Sequence, residues 1–125
     1  MEEWVGKQWD RFIRRAAHRH PWLFALFDHL NQPPIATKEK FGRWGELMKE
    51  AAQHKNFYAK ISGLGTTAQK GANWTADDIK PYVAFALQHF GTDRCFLGGD
   101  WPVALLAGSY THAMKNYKDV VHELV

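Results

Sequence analysis

Three short stretches of this sequence end in side chains able to do chemistry. They are Asp28-His29 after "WLFALF", Lys60 to Gly63 within "FYAKISGL", and Asp100-Trp101 within "FLGGDWPV". A carboxylate at Asp100 can take a proton from water as a general base, with or without a metal. A neutral imidazole at His29 can ligate a metal or hydrogen-bond a substrate carbonyl. Gly98 and Gly99 remove side chains just before the acid, where a ligand or a neighbouring strand would approach closely. Each residue also has a structural reading: Asp100 in an Asx-type turn, and His29 as a core histidine bonded to backbone. Asp28 has the opposite strand parity from His29 and is expected to cap the loop or orient a neighbour.

Lys60 is placed by elimination. It shares a strand face with Tyr58 and Ser62, while Ala59 and Ile61 share the other. Beneath a packed helix its ammonium would be costly to bury without a partner. It is therefore expected to point away from the helices and meet carboxylates near the strand ends. There it serves either a substrate or a structural Lys–Asp pair. His18-Arg19-His20 has a His-x-His spacing seen in metal sites, but it falls at a helix end before Pro21 and is expected on the opposite side of the sheet.

The elements that must position these groups follow from periodicity. Helices are expected over residues 2–19, 38–54, 75–91 and from Thr111 onward, alternating with strands over Trp22–Leu30, Phe57–Leu64 and Arg94–Asp100. Phe41, Trp44, Leu47, Met48 and Ala51 form one helical face. Ile79, Tyr82, Val83, Ala86, Leu87 and Phe90 form another, opened by Thr75 with Asp78 and stopped by Gly91. Strand–helix–strand units of this length belong to parallel connections, so the class is α/β, either a (β/α) barrel or an open doubly wound sheet. No dinucleotide fingerprint or P-loop follows any strand. A full barrel takes about 250 residues and eight strands. Three strands thus predict a partial barrel with open edges that must be covered or paired.

Composition agrees with one partial domain over residues 1–125. The chain is 46% hydrophobic with six Trp and eight Phe, too apolar for disorder. Its net charge of +3 is modest. The basic stretch "RFIRRAAHRH" lies on an amphipathic helix whose charges face outward, without a nucleic-acid signature, so no nucleic-acid partner is expected. No apolar run reaches the roughly 20 residues of a membrane span, the start lacks a signal-peptide pattern, and Cys95 has no partner. A cytoplasmic location and no membrane partner are the expectations.

"DHLNQPPI" (Asp28 to Ile35), "KISGL" (Lys60 to Leu64) and "FLGGDWPV" (Phe96 to Val103) together resemble the C-terminal half of amidohydrolase-2, or amidohydrolase-related, proteins. Within them the likeness is to the sugar-lactonase branch, which includes L-fuconolactonase-like and 2-pyrone-4,6-dicarboxylate lactonase-like enzymes. The resemblance implies a TIM (β/α)8 barrel of which these are the sixth, seventh and eighth strands. It maps the water-handling aspartate onto Asp100 and the sixth-strand histidine onto His29. Lys60, Trp101, Trp74 and Asn73 would border the substrate, a small-molecule lactone or a carboxylate-bearing compound. It leaves the cofactor open: a divalent metal, zinc or manganese, on His29 and Asp100, or none. Asn31-Gln32-Pro33 departs from the Gly-Lys-Pro common in such proteins, and Gly99 stands where a serine is common. The first-strand His-x-His and everything through the fifth strand have no counterpart. The expectation is therefore a lactone hydrolase inactive as an isolated half-barrel. The alternative is a non-catalytic partial barrel that self-associates or complements a separate N-terminal half.

Overall fold

A computed structural model of the chain describes Arg11, residues 25–37 and residues 40–125. The expected helix over 2–19 and His18-Arg19-His20 lie outside the described residues, Arg11 apart. Three strands, β1 (Ala25–Phe27), β2 (Phe57–Ile61) and β3 (Cys95–Leu97), form a parallel sheet in the order β1-β2-β3. The helices are α1 (Gly42–Ala52), the single turn α2 (Leu64–Thr67), α3 (Ala76–Phe90) and α4 (Tyr110–Leu124).

The register sorts the strand side chains into two faces. Leu26 pairs with Tyr58 and Lys60 with Phe96, so these four share one face. Ala59 and Cys95, Ile61 and Leu97 share the other with Phe57. Among the described residues the helices cover this second face, where Phe57, Ala59 and Ile61 are buried. Trp44, Met48 and Ala51 of α1, Ile79, Val83, Ala86 and Phe90 of α3, and Ala113, Tyr117 and Val120 of α4 complete that core. The helix α3 packs against both α1 and α4 and reaches β2 and β3. On the first face Leu26 and Phe96 stay 46% and 44% exposed, a poor arrangement for apolar side chains in water.

Each strand is shorter than the apolar run that announces it, and each shortening has a cause. β1 ends at Phe27 because Asp28–Asn31 wind into a 3-10 turn. β2 ends at Ile61 because Gly63 takes a left-handed conformation and starts α2. Arg94, expected as the first residue of the third strand, belongs to a 3-10 turn over Thr92–Arg94. Its guanidinium is spent on backbone carbonyls of Ala52, His54, Phe57 and Phe90. α3 begins as its sequence announces, with the Asp78 carboxylate accepting the Thr75 N–H at 2.8 Å, and it stops at Gly91, whose φ is +81°.

Candidate active site

The loops leaving the three strands bring Asp28, His29, Lys60, Ser62 and Asp100 together. His29 Nδ1 lies 2.7 Å from Ser62 Oγ. Its Nε2 lies 3.5 Å from Asp100 Oδ1 and 3.6 Å from Asp28 Oδ2. Lys60 Nζ lies 3.2 Å from the other Asp28 oxygen. The polar chain thus runs Lys60, Asp28, His29, Asp100, with Ser62 behind the imidazole. Solvation is unequal: the Asp100 side chain is 14% exposed, that of His29 27% and that of Asp28 56%. The exposed Lys60–Asp28 pair is worth under about 1 kcal/mol to stability. Asp28 contacts both His29 and Lys60, because the turn that begins there removes the strand parity that would have separated it from His29, and Lys60 points away from the helices toward a carboxylate.

The backbone around the site is forced. His29, Leu30, Asn31 and Gln32 all take positive φ, between +48° and +56°, and Asp100 does so at +53°. A side-chain-bearing residue in that region costs about 1–2 kcal/mol, and consecutive ones are unusual. The surroundings hold the turn. Gln32 N–H donates to the His29 carbonyl at 2.9 Å, and Trp44 Nε1–H donates to the Leu30 carbonyl at 2.7 Å. Leu30 itself is fully buried. Strain of this kind persists only where neighbouring structure over-determines it, and here it aims His29 at Asp100.

Glycines make the convergence possible. A Cβ on Gly63 would sit 2.7 Å from His29 Nδ1 and 3.0 Å from Asp100 Oδ2. One on Gly98 would collide with the Lys60 side chain, and one on Gly99 with the Tyr110 ring. The two glycines of "FLGGDWPV" therefore make room for Lys60 and Tyr110.

The other sequence-based candidates are spread further. Trp101 is 69% exposed beside Asp100. Asn73 is exposed at the end of a 3-10 turn. Trp74, expected to border the substrate, is instead a core residue. It is 1% exposed, its ring lies against Tyr117, and its Nε1–H donates to the Ala107 carbonyl at 2.8 Å. With its N–H satisfied and its ring buried, it packs beneath the loops of this chain. Ser62, Gly63 and Tyr117 went unassigned by sequence reasoning. Ser62 carried a signal in its shared parity with Lys60. Tyr117 carried none, since a buried aromatic at helical spacing reads as core. Its hydroxyl accepts the Leu64 N–H at 3.1 Å. Burial raises its pKa above the ordinary tyrosine value, the Leu64 N–H opposes that, and the charge of Asp100 adds to it.

A metal fits this site in part. His29 Nε2 and Asp100 Oδ1 stand 3.5 Å apart. That is close to the edge of a tetrahedron with bonds of about 2.0–2.2 Å, as imidazole and carboxylate make to zinc. The two could be neighbouring ligands. Among the described residues no group of three such side chains is arranged to hold an ion. A general base, a neighbouring imidazole and a cation at one strand-end mouth can instead deliver water to a carbonyl and hold the charge that develops.

The family profile described as amidohydrolase matches residues 10–116. The chain is 39% identical over 94 residues to an L-fucono-1,5-lactonase of Burkholderia ambifaria, covering 75% of this chain and 31% of that protein. An L-fucono-1,5-lactonase of Burkholderia multivorans is 35% identical over 102 residues, covering 76% and 34%. Among solved structures, an amidohydrolase of Burkholderia multivorans with bound HEPES superposes with a TM-score of 0.81 at 28% identity. A zinc-bound crystal form of an amidohydrolase from that species gives 0.81 at 29%. Each covers 94% of this chain and 43% of the other. The chain thus spans about a third of the length of the curated relatives it matches. With a parallel α/β sheet, an acid and an imidazole at its strand ends and a family match over most of its length, this chain belongs to the amidohydrolase family.

Proposed function

We propose that the chain is the C-terminal portion of a lactone-hydrolysing amidohydrolase, its strands equivalent to the sixth, seventh and eighth of a (β/α)8 barrel. The observation that carries this reading is the convergence of His29 and Asp100, at 3.5 Å, on the strand-end mouth. The lactonase names of the relatives supply the substrate class. Asp100 takes a proton from water as the water oxygen attacks the lactone carbonyl. The Nε2–H of His29 donates to the carbonyl oxygen as it gains charge. The ring C–O bond then breaks, and the leaving oxygen takes from Asp100 the proton that was removed from water, giving the open hydroxy acid and restoring the carboxylate. Lys60 and Trp101 shape the mouth for a hydroxylated or carboxylate-bearing substrate. A divalent ion held by His29 and Asp100 would take the place of the Nε2 hydrogen and polarise the same carbonyl.

The test is a chimera. The matching C-terminal region of the Burkholderia multivorans lactonase is replaced by this chain, and hydrolysis of L-fucono-1,5-lactone is followed. The chimera is expected to be active and Asp100→Asn to lower kcat at least about 100-fold, the scale of a positioned general base. Wild-type kcat in Asp100→Asn would overturn the reading. The isolated chain is expected at background, because half of a barrel mouth is missing.

A second reading is favoured by the uncovered sheet face. Leu26 and Phe96, about half exposed on either side of Tyr58 and Lys60, suit a non-catalytic partial barrel that associates with another copy or with a separate N-terminal half. A strict monomer across micromolar concentrations in light scattering would remove the self-association arm.

A further inference from the structure

Ser62 is a fully buried polar side chain, with no exposed surface at all. It contacts the site at one atom: its Oγ lies 2.7 Å from His29 Nδ1. A hydroxyl can donate or accept, and a neutral imidazole has one nitrogen of each kind. The opposite nitrogen therefore decides the direction. His29 Nε2 faces Asp100 Oδ1 at 3.5 Å and Asp28 Oδ2 at 3.6 Å. A lone pair there would point at two negative oxygens, whereas an N–H is attracted to both. Nε2 thus carries the hydrogen, Nδ1 carries the lone pair, and the Ser62 O–H donates to it.

From this we infer that Ser62 is a positioning residue for His29. Its hydroxyl fixes the ring's orientation and tautomer together, so that an N–H stands at Nε2 beside Asp100. The placement follows from β2: Ser62 has the parity of Lys60 and comes one residue before the left-handed Gly63, which admits the imidazole. The same strand end thereby delivers the cation, the positioning hydroxyl and the gap. This deepens the lactonase reading, on which it rests for its catalytic meaning but not for its geometry.

The experiment is a long-range 1H–15N spectrum of the full chain labelled with 15N-histidine, on the alkaline plateau where the rings are neutral. His29→Gln identifies the His29 signals. The expected result is a nitrogen pair typical of a lone pair at Nδ1 and a hydrogen at Nε2, more widely split than that of the exposed His122. Ser62→Ala is expected to collapse that splitting to the exposed-histidine value, and Ser62→Thr, which keeps the hydroxyl, to restore it. A protonated Nδ1 in the unmodified chain overturns the inference, and so does an unchanged splitting in a folded Ser62→Ala chain. Should Ser62→Ala fail to fold, the unmodified chain decides alone. No substrate is present, so an inactive chimera would count against the lactonase reading and leave this inference standing.

Discussion

At Gly63 the absence of a side chain serves conformation and space at once. Its φ of +62° suits glycine, and a Cβ there would press on His29 Nδ1 and Asp100 Oδ2. Gly63→Ala is expected to cost at least about 1–2 kcal/mol from the left-handed backbone alone. Crowding should also push His29 and Asp100 apart. Urea denaturation reads the first effect, and chemical-shift changes at both residues read the second. Cys95 gives a separate prediction. Burial pushes its thiol up to about 11, with Arg94 opposing and Asp93 assisting. Little thiolate is present near neutrality, so alkylation of the native chain should be slow at pH 8 and rise steeply toward pH 11. The shift is upward, so its contribution to stability is complete below the unfolded thiol's value and is lost as pH rises through the folded one. Rapid modification of the folded chain at pH 8 would contradict the burial. That Asp100 and His29 meet was legible because both directly follow the apolar runs of parallel strands, whose ends gather at one side of the sheet. Ser62 and Gly63 were not assigned, because a hydroxyl or a hydrogen acquires meaning only from what lies 3 Å away.

Arg94 ties together the ends of elements that local sequence cannot connect. Its guanidinium donates to carbonyls of Ala52, at the end of α1, of Phe90, at the end of α3, and of His54 and Phe57 around the start of β2. The acceptors include the orphan carbonyls of two helix C-termini, where a cation is also favoured by the dipoles. Arg94→Ala is expected to lower stability by about 2–4 kcal/mol through several lost charge-assisted bonds. Arg94→Lys should recover only part, since an ammonium cannot fork. Equal stability of Arg94→Lys and the unmodified chain, by urea denaturation, would show that charge alone matters. Asp78, at the start of α3, acts through acid sensitivity. Burial works against its ionised form, but the Lys70 ammonium and the Thr75 N–H outweigh that and hold its pKa below the ordinary carboxylate value. The contribution is present above the unfolded value of about 3.9 and is lost as pH falls through the lower folded one. Asp78→Asn should therefore flatten the acid limb of the stability curve, read by melting temperature against pH. The helices α1, α3 and α4 were legible because a period of 3.6 and a start or stop residue are local signals, whereas the single turn α2 falls in a stretch that reads as a loop. The strand limits were not, since Arg94 leaves β3 for distant carbonyls and Asp28–Asn31 leave β1 for a left-handed turn held by Trp44.

Taken whole, the molecule has one finished side and one unfinished side. The helices close the face carrying Phe57, Ala59 and Ile61, while Leu26, Tyr58, Lys60 and Phe96 line the other without a described helix above them. Among the described residues β1 and β3 are both edges of the sheet, and beside β3 an apolar groove is lined by Ile61, Leu87, Cys95, Leu97, Val121 and Val125. Exposed backbone along parallel edges and apolar side chains on an open face are what further strands cover in a barrel. The alternation of strands and helices announced a parallel α/β sheet, but the open face became visible only once the register placed Phe96 beside Lys60. If that face seats a second copy, sedimentation velocity should show a larger species that grows with concentration across the micromolar range. Phe96→Lys and Leu26→Lys should each return the chain to monomer while leaving its helical circular dichroism intact, because neither side chain belongs to the helix-covered core. Lys115→Ala, on the outer surface of α4, is the control and should change nothing. A chain that stays monomeric at every concentration, with both lysine variants indistinguishable from it, would leave the open face to a separate N-terminal half. Titrating in the corresponding part of the lactonase relative would then be the measurement that shows binding.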